Sequence, residues 1–247
     1  MGHILETKNL KYRYSDAGKD EYVLENINMS FDEGKMYAIR GKSGSGKTTL
    51  LSLISGLEKK YLGEILYDDK PLKKMNLDKY RSKDIGIVFQ SYNLLPTYTA
   101  LENIILSMDI NNTRGIKKKE KALELMKKVG LTEAHSKRKV LRLSGGEQQR
   151  IAIARSLSYN PRIILADEPT GNLDKETEDE ILNIFRDLAH KENKCVIIVT
   201  HSKNVCDSVD KVYELKKGSD VIEREPEGRE TSKGKQDKPS EPKKSKK

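Results

Sequence analysis

Gly41-Lys42-Ser43-Gly44-Ser45-Gly46-Lys47-Thr48-Thr49 is the stretch that decides the fold of this chain. It fits the pattern G-x-x-x-x-G-K-[ST], whose glycines let the backbone take positive φ and bring its N–H groups against an anion. The lysine of this pattern suits the β- and γ-phosphates of a nucleotide, and the hydroxyl that follows it suits Mg²⁺. The stretch predicts a phosphate-binding loop contacting nucleotide through Gly41, Ser43, Gly44, Ser45, Gly46, Lys47, Thr48 and Thr49.

The flanks of this loop supply the structural context that the pattern requires. Met36–Ile39 is typical of a short buried strand, and the leucines and isoleucine between Thr48 and Leu57 have helical spacing. The N-terminus of that helix would point at the phosphates, where its partial positive charge stabilises an anion. The alternative is a glycine- and serine-rich turn that matches by chance, and the strand–loop–helix context disfavours it.

Composition and charge exclude several classes of protein. The chain has 247 residues, of which 35% are hydrophobic and 34% charged. No apolar run approaches the ~18 residues of a membrane helix, and the N-terminus lacks the features of a signal peptide. The chain has two cysteines, and neither belongs to a metal-binding motif in the sequence. They suggest free thiols in a reducing compartment. We therefore expect a soluble cytoplasmic protein.

The positive charge is concentrated at the C-terminus. The net charge is +9, and Arg229–Lys247 holds eight Lys or Arg against three Asp or Glu, without any aromatic or aliphatic residue. We predict one domain over residues 1–218 and a charged, disordered tail over 219–247. Because the tail carries most of the excess charge, the total does not indicate a nucleic-acid partner. The tail is suited to weak contact with anionic lipid, and the alternative is that it is only solvated.

The order of patterns along the chain predicts an α/β protein. Residues 4–31 alternate apolar and polar in two runs, typical of an antiparallel β piece, and residues 91–158 contain helical patterns that form an insert. Apolar strands alternating with helices indicate a parallel sheet, whose ligands bind at the carboxyl ends of the strands. Four polar residues directly follow such strands: Gln90, Asp167, Glu168 and His201.

Leu143-Ser144-Gly145-Gly146-Glu147-Gln148-Gln149-Arg150 resembles the signature of the ATP-binding cassette (ABC) ATPases. The resemblance covers residues 4–218. It implies a P-loop NTPase (RecA-like) core with an antiparallel β subdomain and an α-helical subdomain, the latter at about 91–158. Ser144 and Glu147 also have the spacing of a helix capping box. Both interpretations can hold together.

The resemblance implies a role for each matching residue, with ATP and Mg²⁺ as the bound groups. Asp167 is similar to the acid that holds Mg²⁺ through water, Glu168 to the general base, and His201 to the residue that contacts the γ-phosphate. The implied catalytic residues are Glu168, His201, Gln90 and Lys47, and the implied metal-binding residues are Thr48, Gln90 and Asp167. Tyr14 is at the position of the aromatic that stacks on adenine, with Tyr12 a weaker candidate. Tyr14 could also be an ordinary strand aromatic, and His201 an ordinary strand-end polar residue.

The resemblance also implies partners. In this family Ser144, Gly145 and Gly146 contact ATP bound to a second copy, and Asp174 lies in the loop that crosses the interface, so a homodimer is expected. Residues 166–174 and 99–104 resemble a subgroup that serves lipoprotein release, macrolide or peptide export, peptide-antibiotic resistance and cell division. Its membrane permeases typically have few transmembrane helices and a large outer domain. The chain would then be peripheral on the inner face of the membrane.

Ser91–Pro96 is expected to line the groove that receives a coupling helix of the permease. The alternative is that Leu94 and Leu95 pack inside the helical insert. A second class of function is a soluble ABC ATPase acting on nucleic acid or ribosomes. Members of that class have a long insertion between the phosphate loop and the signature, or two cassettes in one chain. This sequence shows neither feature, which disfavours that class. A GTPase is disfavoured because Asn193-Lys194-Cys195-Val196 has valine where the guanine motif requires aspartate.

Overall fold

The structure, a computed structural model, describes residues 2–15, 18, 21–216 and 221–226. Near the N-terminus a small antiparallel sheet forms from β1 (Leu5–Tyr12), β2 (Leu24–Phe31), β4 (Leu62–Tyr67) and β5 (Lys70–Pro71). Its strands lie in the order β2-β1-β4-β5. The predicted antiparallel piece over residues 4–31 forms two of its strands, and Leu5 of β1 pairs with Phe31 of β2.

The central sheet has six strands: β3 (Met36–Arg40), β6 (Ile85–Val88), β7 (Ile163–Asp167), β8 (Cys195–Thr200), β9 (Lys211–Leu215) and β10 (Val221–Arg224). Their order is β10-β9-β3-β8-β7-β6. The contacts of β3 with β8 and β9, of β8 with β7, and of β7 with β6 are all parallel, as the alternation of strands and helices predicts. Only the edge strand β10 is antiparallel to its neighbour.

Strand β10 corrects the predicted boundary at residue 218. Val221 pairs with Leu215 of β9 and also packs against the interior, so the domain extends at least to Arg224. Charge and composition do not reveal this strand, because two apolar residues suffice for an edge strand whose backbone groups pair with β9. Residues 219, 220 and 227–247 of the predicted tail, with its lipid contact, lie outside the described residues.

Eight α-helices occur in the described part of the chain: α1 (Lys47–Ile54), α2 (Leu77–Lys83), α3 (Ala100–Ile110), α4 (Lys118–Lys128), α5 (Glu133–Ser136), α6 (Gly145–Ser156), α7 (Lys175–His190) and α8 (Lys203–Asp207). Helices α3 to α6 fall inside the stretch predicted as a helical insert. Among the described residues, no helix combines the length and apolar character needed to cross a membrane.

Two hydrophobic clusters cover the two faces of the central sheet. In β3, Met36 and Ala38 belong to the cluster that includes α3, α4, α6 and α7, whereas Tyr37 and Ile39 belong to the cluster with α1 and the antiparallel sheet. Burial on both faces explains why the parallel strands are continuous apolar runs. The strands also end at one level, since Arg40 pairs with Thr200 and Asp167 with Val199. Residues that follow these strands are therefore brought together.

Candidate nucleotide-binding site

The loop between β3 and α1 is shaped by its glycines. Gly44 and Gly46 have φ of 76° and 92°, which L-residues with a Cβ rarely adopt. A Cβ on Gly41 would lie 2.4 Å from Ser45 Oγ and 2.7 Å from the carbonyl oxygen of Leu215. The Ser45 hydroxyl is buried beneath the loop and has no hydrogen-bond partner among the described residues. Only a chain without side chains at these points can take this path.

Lys47 begins α1, and its side chain turns back over the loop. Its Nζ donates to the carbonyl oxygens of Gly41 at 2.8 Å and of Lys42 at 3.1 Å. Helix α1 has no acidic residue in its first turn to offset its N-terminal partial charge. An ammonium group and a helix N-terminus thus face the same loop, which is the electrostatic setting that phosphate requires.

Asp167 joins this loop to the end of β7. Thr48 Oγ1 donates to Asp167 Oδ2 at 3.2 Å. Burial raises the pKa of Asp167, although the hydrogen bond from Thr48 acts in the opposite direction. No cluster of three His, Cys, Asp or Glu suited to a metal occurs in the described ranges. A hydroxyl and one carboxylate still fit Mg²⁺, which typically takes one or two carboxylates and completes its shell with phosphate and water.

Glu168 and His201 form a second pair at the same edge of the sheet. Glu168 Oε1 lies 2.9 Å from His201 Nδ1, and the side chain of Glu168 is 14% exposed whereas that of His201 is 71% exposed. The backbone N–H of Glu168 donates to the carbonyl of Val199, and its φ is 45°. A glutamate in the left-handed region is uncommon, and such strain clusters at functional sites.

Gln90 lies beside this pair. Its Nε2 is 3.4 Å from the point that a Cβ on Gly171 would occupy, and the Glu168 carbonyl oxygen is 3.6 Å from that same point. Four residues predicted to follow strands therefore lie at one edge of the sheet, as expected for the carboxyl ends of parallel strands. They are Gln90, Asp167, Glu168 and His201. Their arrangement places a carboxylate, an imidazole and an amide next to the phosphate-binding loop.

The predicted signature forms the start of α6 and has the capping box that its spacing suggests. Glu147 N–H donates to Ser144 Oγ at 3.2 Å, and Ser144 N–H donates to Glu147 Oε2 at 2.7 Å. A Cβ on Gly145 would meet Tyr92 and Leu173, the latter in the loop before α7, and a Cβ on Gly146 would meet Thr177 of α7. In one copy of the chain, these contacts join the signature to α7 and to the segment after Gln90.

Asp174 is the N-cap of α7. Its two carboxylate oxygens accept from the N–H of Thr177 at 3.0 Å and from the Thr177 hydroxyl at 2.9 Å. The hydrogen bond from the Thr177 backbone, followed by that from its hydroxyl, lowers the pKa of Asp174. Its carboxylate is thus already bound within its own chain.

Tyr14 is held above the start of α1. Its hydroxyl lies 2.8 Å from Thr49 Oγ1, its side chain is 47% exposed, and its ring meets that of Tyr12 edge-on. Both rings line an open cavity of about 760 Å³, as do Tyr22 and Tyr61. Sequence reasoning missed Tyr22 and Tyr61, which lie 8 or more positions away from Tyr14. No motif marks them, because only the folded chain brings them to the same cavity.

Residues that follow Gln90 and residues that precede α6 form an exposed apolar patch. Leu95, Tyr98 and Leu141 are 41%, 39% and 74% exposed, and Val140 N–H donates to the Tyr98 carbonyl. Leu94 instead packs against the larger helical cluster. Leu94 therefore packs inside, as the alternative expects for both leucines, whereas Leu95 faces solvent. The groove for a coupling helix stays a prediction.

Comparison with known proteins agrees with this geometry. Residues 24–171 match the family model described as ABC transporter. The chain belongs to the ABC transporter family. This ABC protein is 45% identical to the ABC transporter ATP-binding protein YclH of Bacillus subtilis, over 89% of this chain and 96% of the relative. It is 41% identical to the ABC transporter ATP-binding protein MJ0796 of Methanocaldococcus jannaschii, over 90% and 96% of the two chains.

Solved ABC structures share the fold of the whole domain. A dimeric structure of MJ0796 in a post-hydrolysis state bound to ADP and Pi matches with a TM-score of 0.81 and 38% identity, covering 91% of this chain and all of that one. The cbiO1 protein of Clostridium perfringens, part of the ABC transporter complex cbiONQ, matches with a TM-score of 0.81 and 29% identity over 92% and 90% of the two chains. The predicted fold class, a P-loop NTPase core with β and α-helical subdomains, is confirmed. This ABC protein is an ATP-binding subunit.

Proposed function

We propose that this ATP-binding subunit hydrolyses ATP and that hydrolysis drives a separate membrane permease. The observation that carries the proposal is the position of the Glu168–His201 pair at the same sheet edge as the Thr48–Asp167 contact. A base, a metal-binding carboxylate and a phosphate loop are the groups that phosphoryl transfer to water requires, because positioning and charge stabilisation do most of the catalysis.

Each residue at this edge has a proposed role. Glu168 accepts a proton from the attacking water, and His201, exposed beside it, contacts the γ-phosphate. Lys47 and the loop N–H groups hold the β- and γ-phosphates, while Gln90 orients the water and the metal shell. Thr48 and Asp167 would hold Mg²⁺, which neutralises charge on the phosphate oxygens during transfer. Tyr14 stacks on the adenine ring, with its hydroxyl held by Thr49.

We propose that two copies bind ATP between them. Gly145 and Gly146 begin α6 and Ser144 caps it, and the partial positive charge of this helix N-terminus favours an anion from outside the chain. In this proposal they contact the γ-phosphate of ATP bound to the second copy, and the Asp174 loop lies at the interface. The dimeric structures of the similar protein MJ0796 support this arrangement.

A membrane permease is the proposed partner of the apolar patch formed by Leu95, Tyr98 and Leu141. Exposed apolar side chains grouped next to a catalytic loop mark a docking surface, and the similar cbiO1 protein is part of a transporter complex. From the resemblance of residues 166–174 and 99–104 we propose an export, lipoprotein-handling or peptide-resistance type of transporter. The chain would then lie on the cytoplasmic face of the membrane.

The enzymatic proposal is tested with Glu168→Gln. We expect ATP hydrolysis in the presence of Mg²⁺ to fall about 10²–10⁴-fold, because a general base contributes that much, while ATP binding is retained. Light scattering should show a dimer with ATP and a monomer with ADP. A variant that still hydrolyses ATP at the normal rate would contradict the role of Glu168.

The partner is tested by capturing tagged Glu168→Gln protein with ATP from detergent-solubilised membranes. A co-purified integral membrane protein is expected, and its loss in the Leu95→Asp/Tyr98→Asp double variant would assign the docking surface. Ile110→Asp is a matched control, because Ile110 is 75% exposed at the opposite end of α3. Capture of nucleic acid or ribosomes alone would favour the soluble class of ABC ATPase.

A further inference from the structure

Arg155, in the last turn of α6, holds the segment that follows Gln90. Its Nη2 donates to the carbonyl oxygen of Tyr92 at 2.8 Å, and its Nη1 donates to that of Asn93. Burial lowers the pKa of Arg155, and its guanidinium forms no ion pair with any described residue. Two backbone carbonyls are therefore the groups that compensate this half-buried charge.

The same segment is also held at the other end of α6. The Tyr92 hydroxyl lies 3.0 Å from the point that a Cβ on Gly145 would occupy, at the first residue of the helix. Gly145 and Arg155 are ten positions apart, about 15 Å along a helix. The side chains of Tyr92 and Arg155 together span that length, so one segment contacts both ends of α6.

The backbone of the segment is in an unfavourable conformation. Tyr92 and Asn93 have φ of 59° and 49°, in the left-handed region. Asparagine tolerates this region, whereas a bulky residue such as tyrosine rarely adopts it. Such a conformation persists only where the surroundings impose it. The two hydrogen bonds from Arg155 stabilise it here, because both carbonyls must point toward one guanidinium. The N–H groups of Tyr92 and Asn93 add turn hydrogen bonds to the carbonyls of Phe89 and Ser91.

We infer that Arg155 is a positioning residue that couples the two nucleotide sites of a dimer. The inference rests on the proposed function. Gln90 precedes Tyr92 by two residues and lies beside Glu168 at the nucleotide of its own chain. The N-terminus of α6 faces the nucleotide of the second copy. Because Arg155 and Tyr92 fix Gln90 to α6, a displacement of Gln90 by ATP at one site moves the signature that completes the other site.

Arg155→Met tests this coupling. Methionine keeps the apolar stem and removes both hydrogen bonds, so we expect the Hill coefficient of ATP hydrolysis to fall from near 2 toward 1. In the Glu168→Gln background, dimerisation should need at least about tenfold more ATP. The affinity of the monomer for a fluorescent ATP analogue, measured at concentrations too low for dimers, should stay within twofold of the wild type.

Arg81→Met is the matched control, because Arg81 also donates from its guanidinium to a backbone carbonyl, that of Gly56, away from α6. It should lower stability toward urea without changing the Hill coefficient. If Arg155→Met fails to fold, Arg155→Lys carries the test: a lysine retains the charge but cannot hold both carbonyls, and an intermediate Hill coefficient is expected.

Two failures are distinguishable. A wild-type chain that neither hydrolyses ATP nor dimerises would overturn the proposed function together with this inference. A wild-type chain that does both, and an Arg155→Met variant with an unchanged Hill coefficient, would overturn the coupling role alone. If Arg81→Met lowered the Hill coefficient as much as Arg155→Met does, the loss would reflect reduced stability alone, and the coupling role of Arg155 would also be overturned.

Discussion

At the scale of single residues, the site depends on side chains whose role is set by backbone geometry. Glu168 follows β7 with a positive φ, and this turn directs its carboxylate toward His201 instead of toward the neighbouring strand. Asp167, one position earlier, faces Thr48. Two adjacent acids thus contact different partners at one edge of the sheet. In a regular strand running through both positions, their side chains would instead point to opposite faces of the sheet.

Tyr14 gives a prediction at this scale. Tyr14→Ala should weaken ATP binding about 2- to 12-fold, because aromatic stacking contributes about 0.5–1.5 kcal/mol. Tyr14→Phe keeps the ring and loses only the hydroxyl contact with Thr49, so it should bind ATP nearly as well as the wild type. Isothermal titration with ATP and with inorganic triphosphate measures both effects. Equal losses for ATP and triphosphate would contradict a contact with the base.

Most of these residues could be predicted from sequence because each has a fixed position in a motif. Asp167, Glu168 and His201 lie at strand ends that are visible as apolar runs, and Lys47 and Thr48 close the glycine-rich motif at the start of α1. Arg155 and the tyrosines at 22 and 61 could not be predicted, since their importance depends on backbone carbonyls and cavity walls that only the folded chain brings near them.

At the scale of elements, α6 and α7 meet at their N-termini without space between them. A Cβ on Gly146 would lie 2.5 Å from Thr177 Cγ2. Thr177 is itself held by Asp174, the N-cap of α7. Gly146 is therefore required for helix packing as well as for the proposed approach of a phosphate.

Gly146→Ala should lower the free energy of unfolding by about 1–3 kcal/mol, as overpacking does. The double variant Gly146→Ala/Thr177→Ser should recover much of that loss. Serine at position 177 lacks the Cγ2 methyl group that a Cβ on Gly146 would meet, but it keeps the hydroxyl that donates to Asp174. Urea titration of the monomer measures the stability of both. If the double variant were no more stable than Gly146→Ala, contact with Thr177 would not be the cause.

Elements with strong periodicity were predictable, and short ones were not. Helices α3, α4 and α6 lie within the stretch whose helical patterns predict an insert. Helices α2 and α5, with seven and four residues, lack enough turns to give a periodic pattern. The strand β10 was missed because its pairing with β9 depends on a neighbour and not on its own composition.

At the scale of the whole molecule, Arg162 links the two sheets. It lies just before β7, and its Nε and Nη2 donate to the two carboxylate oxygens of Glu33, in the turn between β2 and β3, at 2.8 and 3.0 Å. The hydrogen bond from Arg162 lowers the pKa of Glu33, more than burial raises it. This bidentate pair fixes the antiparallel sheet relative to the central one.

Arg162→Met should lower the free energy of unfolding at pH 7 by up to about 1 kcal/mol, since the pair is partly exposed and screened. The pKa of Glu33 is lower in the folded than in the unfolded state. The stabilisation by the ion pair is therefore fully present above the pKa of Glu33 in the unfolded state, and it is lost as the pH falls through the pKa in the folded state. The difference between wild type and variant should therefore shrink below about pH 4.5, the ordinary pKa of glutamate. Urea titrations of the wild type and Arg162→Met at pH 7 and pH 4 measure this difference, and Glu33→Gln, which removes the other charge of the pair, is the matched control. A difference independent of pH would exclude the ion pair as its source.

The strand that enters the phosphate loop is hydrogen-bonded to strands from the far end of the chain. Met36 pairs with Val196, and Tyr37 pairs with Lys211. On a ribosome adding ~5–20 residues per second, the first strand emerges roughly ten to thirty seconds before its two neighbours exist. A nascent chain stopped before β8 would hold the complete motif Gly41–Thr49 and yet lack the walls that fix its shape. The ability to bind nucleotide is therefore acquired near the end of synthesis, when the last parallel strands close around the first.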